Sequence, residues 1–164
     1  MQYVVRSTII DFMNFKNGDG QEVSLSDICS LISNDYEYQV FVGTDSQVRR
    51  KKKCVLYATC VVLYKKGKGG RIFVAAESQQ YANSLKERLM NEVWRSLMVS
   101  FELSKILPSN GEIIVHIDTN RSTKYKSGLY THELVSLVTG QGYKCKIKPD
   151  SWAAQHVANH YTKK

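Results

Sequence analysis

Three acidic side chains stand where carboxylates can do metal chemistry. Asp45 lies inside a β-branched run, VGTDSQ; Asp118 ends another, VHIDTN; Glu92 lies in a helical stretch, KERLMNEVW. If the runs that carry Asp45 and Asp118 are neighbouring strands, aligned residues sit about 5 Å apart across the ladder. Two aspartates at that distance repel, and burial makes the repulsion worse, unless a divalent cation neutralises them. A helix packed over the sheet adds Glu92 as a third oxygen ligand. Oxygen-only ligands suit Mg²⁺ or Mn²⁺ rather than zinc. Two such ions about 4 Å apart can activate water and stabilise the leaving oxygen in phosphodiester hydrolysis. A lone aspartate at a strand end is ordinarily a turn former or a cap, and a lone helical glutamate is ordinarily solvated. The joint placement of the three carries the reading.

Glu87 competes with Glu92 for the helical role. Leu85, Leu89 and Val93 define the buried stripe, and Glu92 directly precedes Val93 at its margin, whereas Glu87 lies farther away. Arg88, four residues before Glu92, is placed to pair with it along the helix. The default fourth ligand is Asp150, which follows Glu133 as the next carboxylate and equally suits a helix cap. Asn159, His156 and His160 on the last helical segment are the alternatives; the two histidines, four apart, share a face.

The chain has 164 residues with 23 Lys and Arg against 15 Asp and Glu, a net charge of +8. Such an excess favours a polyanionic partner, nucleic acid first, because each phosphate contact releases counterions. The charge is clustered in loop-like segments: RRKKK at 49–53, KKGKGGR at 65–71 and RSTKYK at 121–126. Arg49, Arg50, Lys51, Lys52, Arg121, Lys124 and Lys126 are the candidate phosphate contacts. Tyr57, Tyr64, Tyr81 and Tyr125 are candidates for stacking on bases, although tyrosine in strands more often packs.

The elements that must position these residues are legible from periodicity. SLSDICSLIS (24–33) reads as a short amphipathic helix capped by Ser24 or Ser26, after a turn-rich loop FKNGDGQE (15–22). Three strands, YEYQVFVGTDSQV (36–48), CVLYATCVVLY (54–64) and RIFVAAES (71–78), joined by short polar turns, form an antiparallel meander. From Asn83 to about Leu107 a long helix repeats Leu85, Leu89, Val93, Leu97 and Phe101, and Pro108, Asn110 and Gly111 end it. EIIVHIDTN (112–120) is a buried strand, 126–139 a helix, YKCKIKP (143–149) a short strand and SWAAQHVANHY a final helix with Asp150 as its N-cap. Strands alternating with helices in the second half imply parallel pairing there. The expectation is an α/β protein with a mixed five-stranded sheet, an antiparallel meander followed by two parallel strands, and helices on both faces. One domain spans 1–164, with 1–35 as an N-terminal extension.

Composition excludes several classes. No run approaches the roughly 20 apolar residues of a membrane helix. The segment MQYVVRSTIIDFMNF carries Arg6 and Asp11 and no small-residue cleavage site, so no signal peptide and a cytoplasmic location are expected. Cys29, Cys54, Cys60 and Cys145 form no CxxC pair, which argues against a zinc ribbon and a secreted disulfide scaffold. Cys54 and Cys60, an even number of residues apart, share a strand face as small core residues. No GxSxG elbow and no P-loop occurs, so a serine hydrolase and a nucleotide cofactor are not expected.

GTDSQ at 43–47, RLMNE at 88–92, HIDTN at 116–120 and KIKPDSWAAQHVANHYTK at 146–163 together resemble the YkuK-like family of bacterial ribonuclease H-like proteins. The resemblance runs from about Tyr38 to Lys163. It implies a ribonuclease H-like fold and a carboxylate site, in which the strand-one aspartate falls on Asp45, the helical glutamate on Glu92, the fourth-strand aspartate on Asp118 and the KP(D/N)S aspartate on Asp150. Arg49 and Arg50 stand where family members often have a histidine. The expected function is a nuclease that uses two Mg²⁺ or Mn²⁺ ions on DNA, RNA or a hybrid. The alternatives are a non-catalytic nucleic-acid-binding module on the same fold and an assembly subunit whose basic surface meets an acidic partner.

Overall fold

β-Branched and aromatic residues bounded by short polar turns give the central strands, β3 (Gln39–Arg49), β4 (Cys54–Lys65) and β5 (Gly69–Gln80). The computed structural model describes residues 13–35, 37–81, 84–108 and 111–163. The N-terminal segment read for a signal peptide lies, up to residue 12, outside the described residues. A turn with Lys53 in the left-handed region joins β3 to β4, and the two strands pair antiparallel from Gln39–Tyr64 to Arg49–Cys54. β5 returns antiparallel along β4. β6 (Ile113–Ile117) then pairs parallel with β3, from Val40–Ile113 to Thr44–Ile117, and β7 (Lys144–Lys146) pairs parallel with β6.

Among the described residues the sheet has seven strands, not the five expected from the sequence; with β1 (Phe15–Lys16) and β2 (Glu22–Val23) its order is β2-β1-β5-β4-β3-β6-β7. The additional strands β1 and β2 form a hairpin that takes up the 15–22 loop expected from the sequence and extends one residue past it, to Val23. Two-residue strands carry no alternation to read. Phe15, fully buried beside β5, anchors this hairpin to the sheet.

Alternation along the strands divides the core in two. Val40 and Val42 of β3, Val61 and Leu63 of β4, and Val115 and Ile117 of β6 face α1 (Leu25–Asn34), α2 (Leu85–Ser104) and α3 (Thr131–Gly140). Phe41, Cys60, Val62 and Ile114 face the other way, against Ala153 and Ala158 of the last helical segment. That segment is a π-helical stretch, Ala153–Ala158, running into α4 (Asn159–Thr162). Ser24 caps α1 in a reciprocal box with Asp27, and Ser84 caps α2. Phe101 departs from the expected stripe: it is 54% exposed, while Val99 and Leu103 are buried. A four-residue repeat drifts about 40° per step against a 3.6-residue helix. By Phe101 the drift has carried the side chain off the core.

Cys60 is buried and its thiol donates to the carbonyl of Ala153 at 3.1 Å, whereas Cys54 is half-buried. All four cysteines are free. Among the described residues no helix is long and apolar enough to cross a membrane.

Gly43 of the GTDSQ motif explains how the last helical segment sits so close. A β-carbon on Gly43 would lie 2.7 Å from the backbone nitrogen of Ala154. Gly43→Ala should therefore push that segment off β3 and cost about 1–3 kcal/mol. Thermal unfolding checks it; an unchanged Tm would contradict the close seating.

Candidate functional site

β3 and β6 are parallel neighbours, so their C-terminal ends lie at the same end of the sheet. Asp45 is near that end of β3, and Asp118 directly follows β6, one residue past the Thr44–Ile117 pair. The alternation that turns Phe41 and Gly43 toward the last helical segment also turns Asp45 there, and it sets Asp118 in line with Ile114 and His116. Contacts agree for Asp45: its Oδ2 accepts a hydrogen bond from Thr162 Oγ1 at 3.0 Å.

Glu92 reaches the sheet from the α2 side. It is 4% exposed, and its Oε1 accepts from Ser46 Oγ at 2.5 Å. One step back along β3, Thr44 joins Thr59 at 3.0 Å and Ser96 of α2 at 2.8 Å, a buried hydroxyl seam that fixes α2 over β3 and β4. The three sequence-chosen carboxylates thus gather at one end of the sheet, but Glu92 stands across β3 from the Asp45–Asp118 pair. Among the described residues no three His, Cys, Asp or Glu side chains are grouped to hold a metal ion.

Electrostatics mark the place nonetheless. Burial, then the charge of Asp118, pushes the Asp45 carboxyl from 3.8 up to about 6, against the opposing hydrogen bond from Thr162. Burial pushes Glu92 from 4.5 up to about 8, with Asp45 and Asp118 adding to it and Ser46 and Arg88 opposing. Arg88 thus acts on both carboxylates through space; Glu92's hydrogen-bond donor is Ser46 rather than the intrahelical Arg88 expected from the spacing. Desolvated carboxylates without enough positive charge to balance them are the condition a hard divalent cation relieves, and an all-oxygen donor set suits Mg²⁺ or Mn²⁺.

The fourth candidate stands apart. Asp150 is exposed, its backbone N–H closes a turn onto Ile147 O at 2.8 Å, and it is not among the charges that shift Asp45 or Glu92. The last helical segment begins after it without a capping bond from its side chain. His156 and His160 are exposed, and Asn159 is half-buried with its carbonyl oxygen 3.0 Å from Thr162 Oγ1. This segment brings Thr162 to Asp45, and the 146–150 turn brings Lys148, whose Nζ lies 2.7 Å from Asp118 Oδ1. Ser46, Thr162 and Lys148 are the site residues that the motifs and their spacing do not single out. Ser46 was within sight, because GTDSQ alternates and puts Ser46 on the face opposite Asp45; the other two depend on how a distant segment returns.

His116 of HIDTN is buried beneath the pair. Its Nδ1 accepts the N–H of Ala153 at 3.0 Å, and its ring packs on Phe41 and Trp152. Burial first and Lys146 second push it down to about 4, so it is a neutral acceptor that docks the last helical segment.

The basic clusters separate by position. Arg50, Lys51 and Lys52 form the 3₁₀ turn after β3, and Arg121, Lys124 and Lys126 lie in or directly after the loop that follows Asp118, all exposed at the carboxylate end. Arg49 is half-buried, and its Nη2 reaches the carbonyl of Thr162 at 3.5 Å. The KKGKGGR turn is at the opposite end of the sheet, where Lys65 pairs with Asp35 and Glu37.

The raised Glu92 carboxyl makes metal-free stability depend on pH. The native state keeps a proton that the unfolded chain releases between about 4.5 and about 8, so this stabilisation is lost as pH rises through that window. Glu92→Gln removes the dependence. In urea unfolding with chelator present, the variant should gain on the wild type from about pH 5 to about pH 8; a constant difference would contradict the burial of an ionisable Glu92.

A family model described as "Ribonuclease H-like" matches residues 24–163. The "Uncharacterized protein YkuK" of Bacillus subtilis (strain 168) is 28% identical over 141 residues, a match that covers 77% of this chain and 80% of that protein. With the mixed sheet and the helices on both faces, these similarities identify the chain as a member of the ribonuclease H-like family, of the YkuK-like kind.

Proposed function

We propose that this protein hydrolyses phosphodiester bonds in nucleic acid with Mg²⁺ or Mn²⁺ held by Asp45 and Asp118 and supported by Glu92. The observation that carries the reading is the level placement of Asp45, within β3, and Asp118, directly after the parallel neighbour β6, with Asp45 raised by burial and by Asp118. Membership of a ribonuclease H-like family supports a nucleic-acid substrate. The chemistry a divalent ion supplies at such a place is Lewis-acid stabilisation of the charge that builds on a phosphoryl group under attack by water.

The chain's own residues have assignable parts in that reading. Thr162 fixes the Asp45 carboxylate through Oδ2, and the backbone N–H of Ser46 adds a second hydrogen bond to it. Ser46 holds Glu92 in reserve on the far side of β3. Arg50, Lys51, Lys52, Arg121, Lys124 and Lys126 flank the pair and position a phosphate backbone, contacts that carry register rather than sequence. A second ion, with Asp150 as its ligand, requires the 146–150 turn to move toward the pair.

A non-catalytic nucleic-acid-binding module is the second reading, and one observation favours it: Asp118 already has a cation beside it in Lys148. Cleavage separates the two. Incubated with labelled single-stranded RNA, DNA and hybrid duplex, the wild type should cut at least one of them when Mg²⁺ or Mn²⁺ is added and none with chelator. Asp45→Asn and Asp118→Asn should each lower the rate about a thousandfold, because the ion contributes several kcal/mol and each 1.36 kcal/mol is tenfold. Binding without metal-dependent cutting overturns the catalytic reading and leaves the module.

Either reading makes the binding salt-dependent. Each of Lys124→Ala and Arg121→Ala should reduce the slope of log affinity against log salt by about one, because each removes a single cation from a phosphate. Fluorescence anisotropy over a salt series checks it; unchanged slopes would place the nucleic acid elsewhere.

A further inference from the structure

We propose that Lys148 is the resident cation of the aspartate pair, and that a divalent ion reaches Asp118 by exchange with its ammonium. The inference rests on the metal-site reading above and adds a residue to it.

Lys148 is held at its post by the backbone. Its N–H donates to the carbonyl of Thr119 at 3.0 Å, which clamps the 146–150 turn onto the chain just beyond β6. The N–H of Asp150 closes that turn onto Ile147 O at 2.8 Å. From this fixed root the side chain brings Nζ to 2.7 Å from Asp118 Oδ1. The contact is one of charge: it lies off the direction of a hydrogen bond, and Asp118 Oδ1 is buried with no hydrogen-bond partner. A buried carboxylate oxygen in that condition costs free energy that a well-placed cation recovers.

The pair is also built to open. The Lys148 side chain is 34% exposed and that of Asp118 is 18% exposed. An ammonium is a compact, hydrated point charge on a flexible stem, so it can swing to water without disturbing the turn that carries it. Arg88, the positive charge that acts on Asp45, comes instead from α2. Lys148 therefore sets the cation affinity of the pair: it lowers repulsion between Asp45 and Asp118 while no metal is present, and a metal must displace it.

Calorimetric titration of Mn²⁺ into the full chain, wild type beside Lys148→Met and Lys148→Arg, tests the exchange. Partly exposed ion pairs set the scale, and Lys148→Met should bind Mn²⁺ about two- to fivefold more tightly than wild type. Lys148→Arg, which keeps the charge, should bind no more tightly than wild type. Without metal, Lys148→Met should have a lower Tm than wild type, and saturating Mn²⁺ should close the gap. Equal or weaker Mn²⁺ affinity in Lys148→Met, with wild type binding, overturns the inference and leaves the metal site standing. Binding by Lys148→Met alone supports the inference and overturns a metal-dependent activity of the wild type. No binding by any of the three overturns both.

Discussion

The structure turns on a repulsion that the fold itself creates. Parallel pairing of β3 with β6 brings Asp45, within β3, level with Asp118, directly after β6, and the last helical segment buries the first of them. Like charges drawn together out of water favour either protonation or a cation. The surroundings supply part of the answer: Thr162 hydrogen-bonds Asp45, Arg88 acts on it through space, and Lys148 sits against Asp118. The remainder is visible in the Asp45 carboxyl, which stays at about 6 despite these partners.

Much of the molecule serves to hold this arrangement. Gly43 lets the last helical segment approach β3, His116 accepts the N–H of Ala153 from below, and Cys60 donates to the Ala153 carbonyl. Arg49 then reaches the carbonyl of Thr162 at the far end, where a cation favours a helix C-terminus. The GTDSQ and HIDTN motifs are therefore as much about seating one helix as about carboxylates. On the opposite face the Ser96–Thr44–Thr59 seam fixes α2, and with it Glu92, over the sheet.

Legibility in the sequence followed the length of the repeating signal. β3, β4, β5 and α2 each offer ten or more residues of consistent pattern and were readable from it, as was the placement of Asp45, Glu92 and Asp118 at strand and helix positions. The β1–β2 hairpin was not, because two-residue strands have no period and owe their place to Phe15. The side of the sheet from which Glu92 arrives depends on one step of strand alternation combined with the packing of α2, and spacing alone treats both sides alike. Lys148 and Thr162 are remote from Asp45 along the chain and return to the site only through tertiary structure, so no local pattern could nominate them.

Whether the aspartate pair holds a divalent ion is tested most directly by anomalous diffraction at the manganese edge, from crystals of the wild-type protein grown with Mn²⁺. A metal site there requires a peak within coordination distance of carboxylate oxygens from both Asp45 and Asp118, with the Lys148 ammonium withdrawn from Asp118. A map with no peak there, and Lys148 still seated on Asp118, would contradict it: Asp118 and Lys148 would then form a structural salt bridge, and the pair would not be a metal site.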